Sequence, residues 1–453
     1  MAESLLSVGL DVGTTTTQLI LSRLVAENRA NSFAVPKMEI TERNVIYESD
    51  IHFTPLLSAE LVDGEKIRQI VEQEYNRAGI RREDVDTGAI IITGETSRKE
   101  NAAAVLSALS DFAGDFVVAT AGPDLESLLA AKGAGAYEYA RQTGKRVLHM
   151  DIGGGTSNLC CCEGERVLYT ACLNVGGRLI KLDAQGRITY ISPQLAGLVS
   201  CREGQILEQA QAVQIAELLA QVLEVAAGLR EPFDAYHKLI TKGTQPPPMP
   251  GDCVISFSGG VADCIEKQLP WLGFGDIGPL LGQAIKRSRL CQGAYRLGSQ
   301  TIRATVIGAG CHSTQLSGST VFLQNVNLPM KNLPVAVLTE QEQCHPERYI
   351  HRKLEALEGI GVLAMPGWRA PDYGQICALA DVICQQIGDR PCYLALQEDM
   401  AKALGHALAL RLKPGTPCFC IDGVYIPPDS YLDVGAAVGS AISVVVKTLI
   451  LSH

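Results

Sequence analysis

Asp11 and Asp151 stand 140 positions apart in nearly the same setting. Each follows an apolar run, LLSVGL before the first and RVLHM before the second. Each is followed by one apolar residue, a glycine, and then small or hydroxyl residues: DVGTTTTQ at 11–18 and DIGGGTSN at 151–158. A glycine-rich turn lets backbone N–H groups reach phosphate oxygens with no side chain in the way. The first turn offers Gly13 and the hydroxyls of Thr14, Thr15, Thr16 and Thr17; the second offers Gly153, Gly154, Gly155, Thr156 and Ser157. A carboxylate beside such a turn repels phosphate unless a divalent cation lies between them, held directly or through water. Two such turns facing each other across a cleft make a metal–phosphate clamp, with Asp11 and Asp151 on the cation. One turn alone reads equally as a tight hairpin; the pair, with matching flanks, favours the clamp.

Two further features fit a cleft. In VISFSGGVAD a glycine pair, Gly259–Gly260, lies between a buried strand and a helix and admits a flat ligand, or serves close packing alone. Small residues also cluster at Gly133–Ala136, before the second hairpin, and at Gly308–Gly310, after the glycine pair. Two helices with such faces cross closely and can hinge a cleft, or simply pack.

The elements that must position these residues follow from hydrophobic period. The chain opens strand–turn–strand. Residues 30–60 are mixed and polar and read as an inserted subdomain. EKIRQIVEQEYNRAGI has Ile67, Ile70, Val71 and Tyr75 at helical spacing. AIIITG reads as a buried strand, NAAAVLSALSDFAG as a helix, DFVVATAG as a strand, and PDLESLLAAKGAGAYEYARQTG as one helix. The strand–turn–strand pattern then recurs at 145–171, so two related halves are expected. A long helix is predicted over 205–229, a rigid loop at GTQPPPMPGD, and strand, glycine corner and helix across CVISFSGGVADCIEKQL. From about 327 the chain has its own strands (VAVLT, CYLAL, CFCI, AISVVVKTLIL) and helices (ALADVICQQI, DMAKALGHALALRL).

Composition narrows the classes. The 453 residues are 47% hydrophobic and 19% charged, enough for several cores. A formal net charge of -10 makes nucleic acid a poor partner. No secretory pattern opens the chain, and the apolar run AISVVVKTLIL has 11 residues with Lys447 inside it, too short to span a bilayer. The 15 cysteines then read as reduced thiols, with Cys160, Cys161 and Cys162 as apolar filler of a strand. Cys311–His312 and Cys344–His345 lack matching second pairs and read as structural or incidental. GFGDIG at 273–278 fits a dinucleotide fingerprint in letters only; no βαβ frame surrounds it, so it reads as a surface loop. No P-loop is present.

The order of elements resembles the actin, heat-shock-70 and sugar-kinase superfamily of ATPases. DVGTTTTQ and DIGGGTSN look like its two phosphate motifs, PDLESLLAAKGAGA and TVIGAG like its connecting helices, and FSGGVAD like its adenosine motif. The resemblance spans about 1–312. It implies an α/β fold of two actin-like, ribonuclease-H-like ATPase domains around a nucleotide cleft, with an extra C-terminal α/β region. The expected division is 1–125, 126–326 and 327–453. It further implies ATP and Mg2+ as cofactors, and Glu126, at the place of the glutamate that opens the chaperones' first connecting helix, as the residue supporting metal and water. The whole chain, tail included, is similar to the family of ethanolamine ammonia-lyase reactivating factors. That similarity implies an ATP-dependent, chaperone-like reactivase whose partner is the lyase. It would promote release of damaged cobalamin there so that adenosylcobalamin binds, in the cytoplasm or the bacterial microcompartment. None of the eight histidines lies in Asp-x-His-x-x-Gly, so nothing marks this chain as the cobalamin enzyme itself. A small-molecule kinase of the same fold and a nucleotide-binding filament subunit stand as alternatives.

Overall fold

The computed structural model describes residues 3–13, 16–29, 38–58, 61–93, 101, 105, 109, 117–120, 123–164, 166–242, 253–318, 320–357, 359–428 and 430–448. Three principal β-sheets organise them. The first has the order Met38–Glu48, Thr16–Asn28, Glu3–Val12, Thr87–Ile92, Val117–Thr120. The second has the order Arg166–Leu173, Ser157–Glu163, Arg146–Ile152, Val254–Ser258, Tyr295–Leu297, with Ile240–Lys242 on its outer edge. Both follow one path. The chain enters on the central strand, takes two antiparallel steps to one side, then adds two parallel strands on the other. The echo between the two hairpins is therefore an echo of whole sheets, the ribonuclease-H-like order that an actin-like fold repeats.

Alternation along each central strand decides what faces what. Val8, Leu10 and Val12 point to one side of the first sheet. There they meet the helix Gly64–Ala78 through Ile67, Val71 and Tyr75. Asp63 caps that helix by accepting from Lys66 N at 3.1 Å, and Gly79 ends it at a φ of 66°. Gly9 and Asp11 point to the other side. In the second sheet Leu148, Met150 and Ile152 face the helices Gln209–Ala226 and Gly278–Arg287, which leaves His149 and Asp151 on the opposite face. Cys161 joins that larger core while Cys160 and Cys162 join Val147, Ala136 and Ala140 on the other face, each thiol filling space as an apolar group.

The helices Pro123–Gly133 and Ala304–His312 lie between the two sheets. They cross where glycine permits it. A methyl group on Gly133 would fall 1.9 Å from the Ala304 carbonyl oxygen, and one on Gly308 would fall 2.1 Å from that of Leu129. Ala304–His312 also lies on the first sheet's central strand, where a methyl on Gly9 would come within 2.5 Å of the Val306 carbonyl oxygen. The two small-residue clusters are thus the contact surface of the crossing.

Several expectations need correction. Met38–Glu48 is no inserted subdomain; it is the edge strand of the first sheet, paired along Thr16–Asn28. Its outer positions Glu42, Arg43 and Asn44 are exposed, and edge strands tolerate such charge, which is why the segment reads as polar. Residues 123–143 form two helices, because Gly135 takes a left-handed φ of 74° and turns the chain before Ala136–Thr143. The helix expected over 205–229 runs from Gln209 to Ala226, and the glycine corner leads into one 3-10 turn, Ala262–Cys264. Most of NAAAVLSALSDFAG and all of GTQPPPMPGD lie outside the described residues.

The third sheet has eight strands. Its parallel centre is Met330–Val337, Val362–Met365, Cys392–Leu396 and Cys418–Ile421, with antiparallel edges that include the hairpin Ser430–Val438 and Ala441–Thr448. Helices Pro346–Glu355, Tyr373–Ile387 and Ala401–Ala409 cover one face through Ile350, Ile383 and Leu404. Val445 packs with Ala89 and Ile91 of the first sheet, so the third region rests on the first. Among the described residues no helix is long and apolar enough to cross a membrane.

Candidate nucleotide cleft

Both acidic hairpins open on one cavity of about 360 Å³ between the first two sheets. Their turns close alike: Gly13 N donates to Thr16 O and Gly153 N to Thr156 O, each at 2.9 Å. Asp11, Gly13 and Thr16 line the cavity from the first half. Asp151, Gly153, Gly154, Gly155, Thr156, Gly259 and Gly260 line it from the second, and Glu126 reaches it from the first turn of Pro123–Gly133. Two expected donors do not reach the cavity. Ser157 is fully buried and donates to the Val175 carbonyl at 2.7 Å; the Thr17 hydroxyl lies 3.1 Å from that of Thr54. Thr14 and Thr15 lie outside the described residues.

The two glycines of the corner have different duties. Gly259 holds a φ of 83°, and a methyl there would fall 2.2 Å from the Ile152 carbonyl oxygen, so it lets two strand ends meet. Gly260 is open: a methyl there would meet nothing nearer than the Ile302 side chain at 3.9 Å, so it is the one that leaves room for a ligand.

Each carboxylate is supported by a hydroxyl at the end of the adjoining parallel strand. Thr93 Oγ1 donates to Asp11 Oδ1 at 2.8 Å. Ser258 Oγ donates to Asp151 Oδ1, and Thr305 Oγ1 donates to Asp151 Oδ2 at 3.3 Å. Behind Ser258 stands His149, fully buried, with Nε2 2.9 Å from Ser258 Oγ and Nδ1 3.2 Å from Ser256 Oγ. Burial lowers its pKa to about 3, so the ring is neutral. With the Ser258 proton directed at Asp151, the imidazole donates from Nε2 and accepts at Nδ1. Burial first, and the charge of Asp151 with it, raises Asp11 to about 7 against the hydrogen bond from Thr93; burial raises Asp151 as well. Directly across the hairpins, Gln18 pairs with Asp11 and Asn158 with Asp151. Among the described residues, Gln18 Oε1 and Asn158 Oδ1 are buried carbonyl oxygens without a hydrogen-bond partner.

Sequence reasoning misses part of the site. GFGDIG is no mere surface loop: Phe274, Asp276 and Gly278 line the cavity. The missed glycine pair is Gly176–Gly177. Gly177 N donates to Gly153 O at 3.0 Å and Arg178 N to Gly154 O at 2.7 Å, while a methyl on Gly176 would fall 2.3 Å from Gly154 O. The signal is present as VGGR, two strands after the triple glycine. Ser258 is inside SFSGG and Thr305 inside TVIGAG, but a hydroxyl's target is a matter of tertiary contact.

Comparison with known proteins places the whole chain in a family. The family model described as "Ethanolamine utilisation protein EutA" matches residues 3–452. The ethanolamine ammonia-lyase reactivase EutA of Salmonella typhimurium is 39% identical over 98% of both chains, and that of Escherichia coli is 38% identical over 98% of both. The solved Aquifex aeolicus PPX-GPPA enzyme is 13% identical with a TM-score of 0.42, covering 68% of this chain and 99% of that one. A family match over nearly the whole chain, with relatives that align end to end, means that this chain belongs to the EutA family of ethanolamine utilisation proteins.

Proposed function

We propose that this chain is an ATP- and magnesium-dependent reactivating factor for ethanolamine ammonia-lyase, which promotes exchange of damaged cobalamin on the lyase for intact adenosylcobalamin. The observation that carries the reading is the convergence of two acidic glycine turns, one from each related half, on a single cavity. The residues present fit a hydrated magnesium ion. Mg2+ keeps several waters and takes one or two carboxylates plus phosphate oxygens. Among the described residues no group of three or more His, Cys, Asp or Glu is placed to hold a metal, while Asp11 and Asp151 are among the carboxylates that line the cavity, and Gln18, whose Oε1 has no hydrogen-bond partner among the described residues, lines it as well. Bound there, the ion would offset the charge of the phosphates and polarise the terminal one.

In this reading Asp11 and Asp151 hold the ion's waters, and the turns at 13–17 and 153–157 meet the phosphates with backbone N–H groups. Gly260 admits the adenosine over the bend that Gly259 makes possible, and Glu126 orients the attacking water. The halves at about 1–125 and 126–326 form the jaws, with 327–453 as an added region. Triphosphate touches both jaws and diphosphate holds them less well, so nucleotide state sets cleft closure. The lyase and its microcompartment are the setting in which that closure acts.

The test mixes the protein with cyanocobalamin-inhibited lyase, ATP, magnesium and adenosylcobalamin. Lyase activity should return with the native chain, and should not return with Asp11→Ala or Asp151→Ala. No recovery with the native chain rejects the function; full recovery with either variant rejects the site.

A further inference from the structure

Arg178 has no role in the reading above, yet its backbone is locked onto the triple-glycine turn through Gly154. Its side chain is held on one edge: Nε donates to Asp276 Oδ2 at 3.1 Å. Asp276 is itself fixed, buried and accepting from Gly278 N at 2.8 Å. The guanidinium's two terminal nitrogens have no acceptor among the described residues, and the side chain is 28% exposed. Across the cleft, Phe53 of the first half lies 5.8 Å from the guanidinium carbon, ring centroid to Cζ, and is itself 76% exposed.

Position gives this free edge a meaning. Beside the main cavity lies an extension of about 350 Å³. Arg178, Phe53, Gly154 and Gly155 border both spaces, whereas Gly259 and Gly260 border only the main one. An anion meeting Arg178 at the Gly154–Gly155 turn therefore sits at the end of the site remote from the adenosine corner. Arginine is suited to that place, since its planar fork binds a phosphate through paired N–H groups while one edge stays on a carboxylate.

We propose that Arg178 senses the terminal phosphate of the bound nucleoside triphosphate, its free guanidinium edge binding that phosphate and its contact with Phe53 passing the occupancy to the first half. The inference rests on the nucleotide reading of the cleft and extends it to the discrimination of triphosphate from diphosphate. Isothermal titration of the full chain with Mg-ATP and with Mg-ADP tests it. Arg178→Ala should weaken ATP by about 10–100-fold, the size of a lost charge-assisted contact, and ADP by less than about threefold. Arg178→Lys should recover part of the ATP affinity, because it keeps the charge and loses the fork. Hydrogen exchange at 51–57 should slow on ATP addition in the native chain and not in Arg178→Ala, and circular dichroism checks that the variants fold. Should Arg178→Ala misfold, the ATP-to-ADP affinity ratio of Arg178→Lys decides in its place. Equal losses for both nucleotides, or no loss, overturn the inference while leaving the cleft reading intact. A native chain that binds neither nucleotide overturns both.

Discussion

The turn at Gly13 and the turn at Gly153 are closed by the same hydrogen bond at the same length, yet they are braced by different means. The first is held by a side chain: Thr54 Oγ1 donates to the Gly13 carbonyl at 2.7 Å. The second is held by backbone, from Gly177 and Arg178 into the carbonyls of Gly153 and Gly154. A hydroxyl reaches in from a distance, so the first turn manages with one glycine. Two main chains in contact leave no space for a Cβ, and Gly176 pressed on Gly154 is the result. The triple glycine therefore divides its work. Gly154 takes the brace, while Gly155, where a methyl group would meet nothing within 4 Å, keeps the cavity side clear.

The largest effect expected from this contrast is at Gly176. Gly176→Val should abolish nucleotide binding by titration, because a side chain there must push away backbone, which cannot yield as a side-chain end can. Thr54→Val removes one hydroxyl brace and should weaken Mg-ATP by about tenfold, the worth of one or two hydrogen bonds. If Thr54→Val is the more damaging of the two, the braces have been ranked wrongly.

The carboxylate supports differ in depth as well. Among the described residues Asp11 has Thr93 alone behind it, whereas Asp151 has Ser258, Thr305 and, behind Ser258, the buried His149. Groups that orient a metal's ligands are worth about 10–100-fold in metal affinity when removed. Ser258→Ala should fall at the upper end, since it also strands the buried Nε2–H of His149, and Thr93→Val at the lower. The readout is the magnesium concentration that half-saturates ATP binding. Equal shifts would mean that the relay through His149 adds nothing.

What can be read from sequence follows the same division. The acidic turns, the glycine corner and the crossing faces are legible because each is a local run of residues whose type answers a local need: DIGGGTSN and Gly133 announce themselves. The braces are not legible. Thr54 serves Gly13 from 41 positions away, and the VGGR arginine has meaning only once GFGDIG brings Asp276 beside it. Met38–Glu48 misleads for a related reason: an edge strand satisfies one side only, so its sequence shows the polar pattern of a loop.

The smallest expected effect tests Asp11 without any ligand. Asp11 is raised to about 7 by burial in the cleft, from an ordinary value of 3.8. The folded protein therefore holds that proton more tightly than the unfolded chain does. The stability it contributes is fully present below about pH 4 and is lost as pH rises through about 7. Asp11→Asn has no such carboxylate to lose. In a thermal melt without nucleotide or magnesium, it should exceed the native chain by roughly 2–4 °C at pH 8, and the gap should close towards pH 4. Adding magnesium and ATP at pH 8 should reverse the order, because the carboxylate that burdens the empty cleft is then the one that binds the ion's waters. An Asp11→Asn gain that is independent of pH, or that survives saturation with Mg-ATP, would place Asp11 outside the clamp and leave Asp151 as its only acid.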